Sequence, residues 1–214
     1  QNMEEMKLQD IKEQVVDAAK RQNTISDHTN ITVDAKIVSD VDASGKKIMN
    51  YRINFSYEVE EGFSAQEDFA PGKYKAEESG AASSMLSVVK TAFEGEFARY
   101  VKPGKKLAVK ITGMADALPI NGKIAYDGCY GDFENEPVYK NDDLGTITVT
   151  RETGVTQNEQ LAFLRAVGVK ENINANVSGV STMSTDYRYY IELTEGRGGE
   201  FRRINVEFTF IDAF

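Results

Sequence analysis

The stretch from Thr156 to Ile173, TQNEQLAFLRAVGVKENI, constrains the fold of this 214-residue chain more than any other part of it. Thr156 followed three residues later by Glu159 is a capping-box pattern, in which a hydroxyl and a carboxylate satisfy two backbone N–H groups at the start of a helix. Apolar residues then recur at helical spacing and draw one stripe: Leu161, Ala162, Ala166, Val169 and Ile173. The stretch therefore predicts a helix with one face in the core.

Two polar side chains lie near the edge of that stripe. Asn158 and Arg165 are seven residues apart, which is close to two helical turns, so they project from the same side of the helix. A buried or half-buried guanidinium needs an anion, because an unpaired buried charge is costly. The pattern predicts an anionic partner for Arg165, either a ligand or a carboxylate of the chain.

The N-terminal segment predicts a helix followed by a β-hairpin. Residues 3–21 have apolar residues at helical spacing, which fits either a spacer or coiled-coil stalk, or a helix packed on its own sheet: Leu8, Ile11, Val15, Val16 and Ala19. Two heptads are too few for a coiled coil, which favours the second interpretation. Residues 31–38 and 48–59 alternate apolar and polar residues on either side of the turn residues 42–45, and so predict a hairpin.

The middle of the chain predicts a loop, a helix and a strand. Residues 60–80 are polar and contain turn residues, residues 83–101 have helical apolar spacing, and Pro103-Gly104 ends that helix. A strand over 107–112 then runs into Asp116. Strands joined through a helix cross over with right-handed geometry, so the residue after this strand is expected near the start of the next helix. Asp116 and Arg165 are therefore expected to meet.

Residues 117–155 predict an inserted hairpin with arms at 123–127 and 146–151 and an acidic tip at 128–145. The carboxylates of this insertion suggest a calcium site, but their spacing is not that of an EF-hand loop, and a solvated acidic tip is the simpler interpretation: Asp127, Asp132, Glu134, Glu136, Asp142 and Asp143. No metal site is predicted.

Two strands at 187–193 and 203–211, with a tight turn at 195–200, predict a closing antiparallel hairpin. The element order is then strand, helix, strand, helix, strand, strand. Helices layered on one face of a mixed sheet place the chain in the α+β class.

Composition excludes several functions. The formal charge of −9 argues against nucleic acid, which needs a basic stripe, and the short basic stretch at 102–110 is more simply the solvent face of a strand. One cysteine, Cys129, allows no internal disulfide. The sequence argues against an enzyme, because it has a single histidine, His28, and neither a G-x-S-x-G motif nor the spacing of metal ligands. A hydrolase that uses paired carboxylates in 127–143 is an alternative. No cofactor is predicted. No apolar run is long enough to span a bilayer, so a membrane anchor would lie outside this chain.

The helix pattern resembles the N-x-x-L-x-x-x-R-A-x-x-V-x-x-x-L helix of the OmpA-like peptidoglycan-binding domain, a periplasmic module of outer-membrane proteins and lipoproteins. Two further pieces occur in the same order: Gly113-Met-Ala-Asp116 in place of Gly-His-Thr-Asp, and Phe201-Arg-Arg-Ile204 in place of Asn-Arg-Arg-Val. The resemblance covers residues 48–214, with an insertion at about 117–155. Residues 1–47 form an N-terminal helix and edge strand outside it.

The resemblance implies a βαβαββ fold and a non-catalytic site for the diaminopimelate side chain in the peptide stem of peptidoglycan. Asp116 would take the ligand's ammonium and Arg165 its carboxylate, because a guanidinium fork can donate two parallel hydrogen bonds. Asn158 would add a polar contact, and Arg203 would hold the last strand to this edge. The implied location is the periplasm or the outer membrane, with the chain tethering an envelope protein to the cell wall.

Departures from the family pattern leave alternatives. Met114 and Ala115 replace the usual His and Thr, and Phe201 replaces the Asn before the arginine pair. Arg165 could instead form a structural ion pair with Asp116 or with a carboxylate of the insertion. The scaffold could also have a lost or capped pocket and bind an envelope protein through the inserted hairpin.

Overall fold

The computed structural model describes residues 2–21 and 27–214, the first of these ranges with only part of its side chains. Within these residues the fold is α+β, with four α-helices and a mixed seven-stranded sheet. The elements in chain order are α1 (Asn2–Arg21), β1 (Thr29–Val41), β2 (Lys47–Val59), α2 (Ser64–Glu67), α3 (Gly80–Glu94), β3 (Lys106–Ala115), β4 (Phe133–Lys140), β5 (Asp143–Val149), α4 (Asn158–Asn176), β6 (Ser184–Leu193) and β7 (Ile204–Phe210).

The strands lie in the order β1-β2-β7-β3-β6-β4-β5. The pairs β3/β6 and β6/β4 are parallel, and all the others are antiparallel. The predicted hairpin of β1 and β2 is confirmed, and its two strands pair over their full length from Thr29↔Val59 to Val41↔Lys47. Alternation in β2, β3 and β7 gives the sheet one buried face, against which the long helices pack.

The predicted hairpin of the last two strands is wrong. β6 and β7 are not neighbours, because β3 lies between them, parallel to β6 and antiparallel to β7. The connection between β6 and β7 contains a 3₁₀ turn, Gly199–Phe201, and passes over the end of β3. There the N–H groups of Met114 and Ala117 donate to the carbonyls of Arg203 and Gly196 at 2.9 Å each. This path brings Arg202 to the end of β3.

The insertion contains a hairpin whose predicted second arm, 146–151, overlaps β5, but the predicted first arm and tip are wrong. The hairpin consists of β4 and β5 around a turn at Asn141 and Asp142, which have φ values of 45° and 71°. Residues 123–127 do not form a strand and contribute only an isolated bridge, Ile124↔Val155. The hairpin joins the main sheet where β4 pairs with β6 at Tyr139↔Tyr190. The insertion thus extends the sheet, and part of the expected acidic tip lies along β4.

Helix α4 is buried more completely than a single stripe predicts. Every stripe residue is buried, but so is each residue from Leu161 to Val169. Sheet strands cover one side, while the insertion covers another, where the Phe133 ring contacts Phe163 edge to face at 5.0 Å. The helix begins two residues later than Thr156, and Gln160, not Glu159, supplies the capping oxygen, which accepts the Gln157 N–H at 3.1 Å.

Helix α1 packs on its own sheet, as the second interpretation predicts. Val15 is buried, Ile11 packs against the core, and Lys12 forms an ion pair with Asp34 of β1 at 3.0 Å. The side chains of Leu8, Val16 and Ala19, and residues 22–26, lie outside the described residues. None of the helices in the described part of the chain is long and apolar enough to cross a membrane.

Helix α3 is shorter than predicted. It ends at Glu94, because the backbone leaves the helical conformation at Gly95, well before Pro103-Gly104. Phe97 is nevertheless fully buried, and a 3₁₀ turn at Ala98–Tyr100 continues the apolar face.

Glycine 113 lets β3 and α4 touch backbone to backbone. A Cβ atom at this position would lie 1.9 Å from the carbonyl oxygen of Ala162 and 3.1 Å from the backbone nitrogen of Ala166. Neither atom belongs to a side chain that could rotate away. The glycine therefore sets the distance between the sheet and its central helix.

Substitution Gly113→Ala is expected to lower the free energy of unfolding by at least about 2 kcal/mol, because the added methyl group forces the helix away from the strand. Chemical denaturation measures this loss. Gly145→Ala in β5 is the matched control, because a Cβ there meets only Lys140 at 3.7 Å. Equal unfolding free energies for the two variants would contradict the proposed contact.

Candidate functional site

The Asp116 carboxylate, just beyond the end of β3, is buried and fully engaged. Its Oδ2 accepts a hydrogen bond from Arg202 Nη1 at 2.6 Å and from the Gly198 N–H at 3.1 Å. Its Oδ1 accepts the Leu118 N–H at 3.3 Å. Both side chains of this ion pair are buried: Arg202 is 9% exposed and Asp116 is 6% exposed. A cation of the chain itself thus neutralises the carboxylate that the sequence assigns to a ligand ammonium.

The Arg165 guanidinium lies in the protein interior and is bound to backbone carbonyls. Nε donates to the Lys73 carbonyl at 2.9 Å, Nη1 donates to the Met114 carbonyl at 2.8 Å, and the Phe69 ring lies 5.0 Å away. Arg165 is 0% exposed, and its Nη2 has no hydrogen-bond partner. Among the side chains that the structure describes, Arg165 has no carboxylate within ion-pair distance. The alternative of an ion pair with Asp116 or an insertion carboxylate is therefore wrong.

Burial sets the electrostatics of Arg165. Desolvation and, after it, the nearby Arg202 charge lower the pKa of the guanidinium to about 9, although Asp116 acts in the opposite direction. The group is still protonated at neutral pH. It is a buried cation whose nearest carboxylate is already neutralised.

Arg203 holds the start of β7 to the segment after α2. Its Nε and Nη2 donate to the two carboxylate oxygens of Asp68 at 2.9 and 3.1 Å, a bidentate arrangement, and the Ser64 hydroxyl donates to the same carboxylate. Asp68 is buried. Arg203 is therefore placed where it can support the edge.

Asn158 contacts the same edge through the chain after β3. Its Nδ2 donates to the Leu118 carbonyl at 3.1 Å, and Leu118 in turn donates its N–H to Asp116. The structure thus brings Asp116, Asn158 and Arg165 to one edge of the fold. Arg203 instead contacts Asp68, and the arginine beside Asp116 is Arg202.

Sequence reasoning missed Arg202, Asp68 and the carbonyl of Lys73. The adjacent arginines 202 and 203 are the signal that was available, because neighbouring residues in extended chain point to opposite sides. Which arginine meets which carboxylate depends on the path between β6 and β7. Asp68 and Lys73 lie in the segment predicted as a polar loop, and no motif marks them.

Other candidate groups in the insertion are placed apart from this site. Asp127 forms an ion pair with Lys75 at 3.3 Å and accepts the Cys129 N–H. Cys129 is an exposed residue, but partial desolvation of its thiol and the neighbouring Asp127 carboxylate raise the thiol pKa to about 11. The thiol is therefore protonated at neutral pH. In the described part of the chain, no three His, Cys, Asp or Glu side chains come together in a group that could hold a metal ion.

His28 has both a charged and an aromatic neighbour. Its Nδ1 lies 3.2 Å from Glu60 Oε2, and its ring stacks on Phe63 with centroids 3.5 Å apart. These contacts anchor His28 to the segment between β2 and α2.

Comparison with known proteins gives no family: no protein-family model matches the chain, and no curated protein matches it. The geometry of the site itself has to support any functional conclusion.

Removal of one partner from the buried pair is expected to be costly. Arg202→Met leaves the Asp116 carboxylate buried without its cation, which is expected to lower the free energy of unfolding by about 3–5 kcal/mol. Asp186→Asn removes an ion pair with Arg188 whose side chains are 65% and 59% exposed; this control is expected to cost less than about 1 kcal/mol. Urea denaturation of both variants measures the difference, and similar small losses would contradict it.

Alkaline pH is expected to unfold the protein before all its tyrosines ionise. Burial raises the pKa of several tyrosines above 10: Tyr51, Tyr57, Tyr74, Tyr130 and Tyr189. Because the folded-state pKa lies above the unfolded value, their contribution to stability is complete below pH 10 and is lost as the pH rises further. The lowered pKa of Arg165 has the opposite effect on how stability changes with pH, but these five tyrosines outnumber that single group.

Absorbance at the phenolate band, followed together with circular dichroism, measures this. We expect a late tyrosine step that coincides with loss of structure, and Tyr57→Phe should remove part of that step. Full ionisation of every tyrosine in a native fold would refute the expectation.

Proposed function

We propose that the chain is a non-catalytic binding module of the cell envelope, built on an OmpA-like scaffold whose wall-peptide site is closed by its own side chains. One observation carries the proposal: Arg202 lies 2.6 Å from Asp116, where the ammonium of a ligand would bind. The burial of Arg165 agrees with it, because a ligand carboxylate would have no open path to the guanidinium.

The element order supports the scaffold. Strand β2, helix α3, strand β3, helix α4 and strands β6 and β7 follow the βαβαββ order that the resemblance implies, with β4 and β5 added after Asp116. Asp116, Asn158 and Arg165 lie at one edge of the fold, as expected for residues of a common site. Envelope location, and any tether to the wall, are parts of this proposal.

An envelope protein is the partner we propose for the closed form, and it would bind at the inserted hairpin. β5 ends the strand order, so one of its edges is unpaired in the described part of the sheet. An unpaired edge is a template for an added strand. On the same hairpin, Leu144 is 69% exposed. The insertion thus offers both backbone groups and an apolar side chain.

Peptidoglycan binding is the second candidate, and the unpartnered Nη2 of Arg165 favours it. A buried N–H group without an acceptor is costly, and the carboxylate of a diaminopimelate side chain would satisfy it. Binding would require Arg202 to leave Asp116 and the segment around Lys73 to move away from Arg165. In this form the chain would tether an envelope protein to the peptide stem of the cell wall.

Calorimetric titration with a diaminopimelate-containing muropeptide separates the two candidates. For the closed site we expect no saturable heat and no retention on purified peptidoglycan, because both charged groups are already bound within the protein. Saturable binding that is lost in Arg165→Lys, which keeps the charge but not the planar fork, would establish the second candidate. Arg188→Lys, at an exposed position, is the control.

Absence of binding would direct the search to the edge of β5. There Leu144→Lys should abolish binding of an envelope partner. Val41→Lys changes another exposed apolar residue, in β1 at the opposite edge of the sheet, and should leave binding unchanged.

A further inference from the structure

A cavity of about 220 Å³ lies at the opposite end of the sheet from Asp116. It is bounded by the start of β3, the end of β7 and the turn between β1 and β2. β3 has ten residues, which at the usual rise per residue separates its two ends by about 30 Å. The cavity is therefore distinct from the edge that holds Asp116 and Arg165.

Four exposed lysines line this cavity: Lys46, Lys102, Lys105 and Lys106. Asp212 is the acidic residue among the lining side chains. In the described residues, none of the four lysines is within ion-pair distance of a carboxylate. The chain as a whole carries a formal charge of −9, so this cluster of four lysines is a local positive charge opposite in sign to the net charge.

Turn geometry fixes the backbone from which the lysines project. The Lys105 N–H donates to the Lys102 carbonyl at 3.1 Å, and Gly104 between them has a φ of +77°. A β-turn of this kind, with Pro103 before the glycine, keeps its first and last residues within about 7 Å of each other. Lys106 begins β3 directly afterwards. The backbone N–H of Lys46 donates to the Asp42 carboxylate at 2.9 Å, which fixes the other side of the cavity.

The chemistry of the lining favours phosphate over carboxylate. Planar carboxylates are matched best by the fork of an arginine, and the cations here are all lysines. A phosphate group has more charge and more acceptor oxygens than a carboxylate, so it can use several ammonium donors at once. The remaining lining is partly apolar, with Tyr100, Met183 and Phe210, and Phe214 at 58% exposure. Such a mixture fits a phosphate attached to an apolar group as well as a free phosphate.

We propose that this lysine cavity is a binding site for a phosphate group, presented either by the headgroup of an anionic lipid or by a soluble phosphate. The lysines provide the charge, and the exposed Phe214 side chain provides apolar contact when the phosphate belongs to a lipid. The site is independent of the proposed function, because it uses none of the residues around Asp116.

The test uses the full chain with two probes. Inorganic phosphate is titrated and followed by NMR chemical shifts, and vesicles of phosphatidylglycerol and phosphatidylcholine in equal parts are compared with vesicles of phosphatidylcholine alone in a sedimentation assay. Lys102→Ala combined with Lys105→Ala removes two of the lysines. Lys36→Ala combined with Lys90→Ala removes the same charge from two exposed positions on β1 and α3.

We expect saturable binding of at least one probe, weakened about tenfold or more by the cavity variant and unchanged by the control variant. Binding to the mixed vesicles but not to phosphatidylcholine alone identifies a lipid headgroup as the source, and binding of inorganic phosphate without vesicle binding identifies a soluble phosphate. Absence of binding to both probes overturns the proposal. Equal weakening by the two double variants also overturns it, since it would reflect net charge alone.

Discussion

The close contact between β3 and α4 is the constraint on which the rest of the structure depends. Because residue 113 has no side chain, the helix lies against the strand with its Ala162 carbonyl where a Cβ would otherwise be. That position brings Arg165 within reach of the Met114 carbonyl at the end of the same strand. The close approach at Gly113 thus helps to fix the sheet, the central helix and the charged edge relative to one another.

Sequence periodicity predicted those elements that depend on local pattern. The hairpin of β1 and β2 alternates cleanly and has a turn of suitable residues, and the apolar spacing of α4 survives in the structure with every stripe residue buried. Asp116 and Asn158 lie near each other through Leu118, since the end of a strand and the start of the following crossover helix are close together. These features follow from neighbours in the chain or from general rules of handedness.

Pairing between distant strands could not be predicted in the same way. Alternation in β6 and β7 shows that both are strands, but it does not tell which strand lies between them, and the short connection suggested a hairpin that does not form. The partner of Asp116 depends on that connection, so the choice of Arg202 over Arg165 could not be predicted either. The binding of Arg165 to backbone carbonyls could not be predicted either, because every residue has a carbonyl and no side-chain pattern marks the ones that accept.

The sheet order has a consequence for how such a chain can grow. The four central strands, β2, β7, β3 and β6, are flanked by β1 beside β2 at one margin and by β4 with β5 beside β6 at the other. Growth at a margin is not confined to the surface, because Val33 of β1, Val138 of β4 and Val149 of β5 are buried in the same hydrophobic cluster as α4. A strand added at either margin therefore extends the hydrophobic core as well as the backbone hydrogen bonding of the sheet.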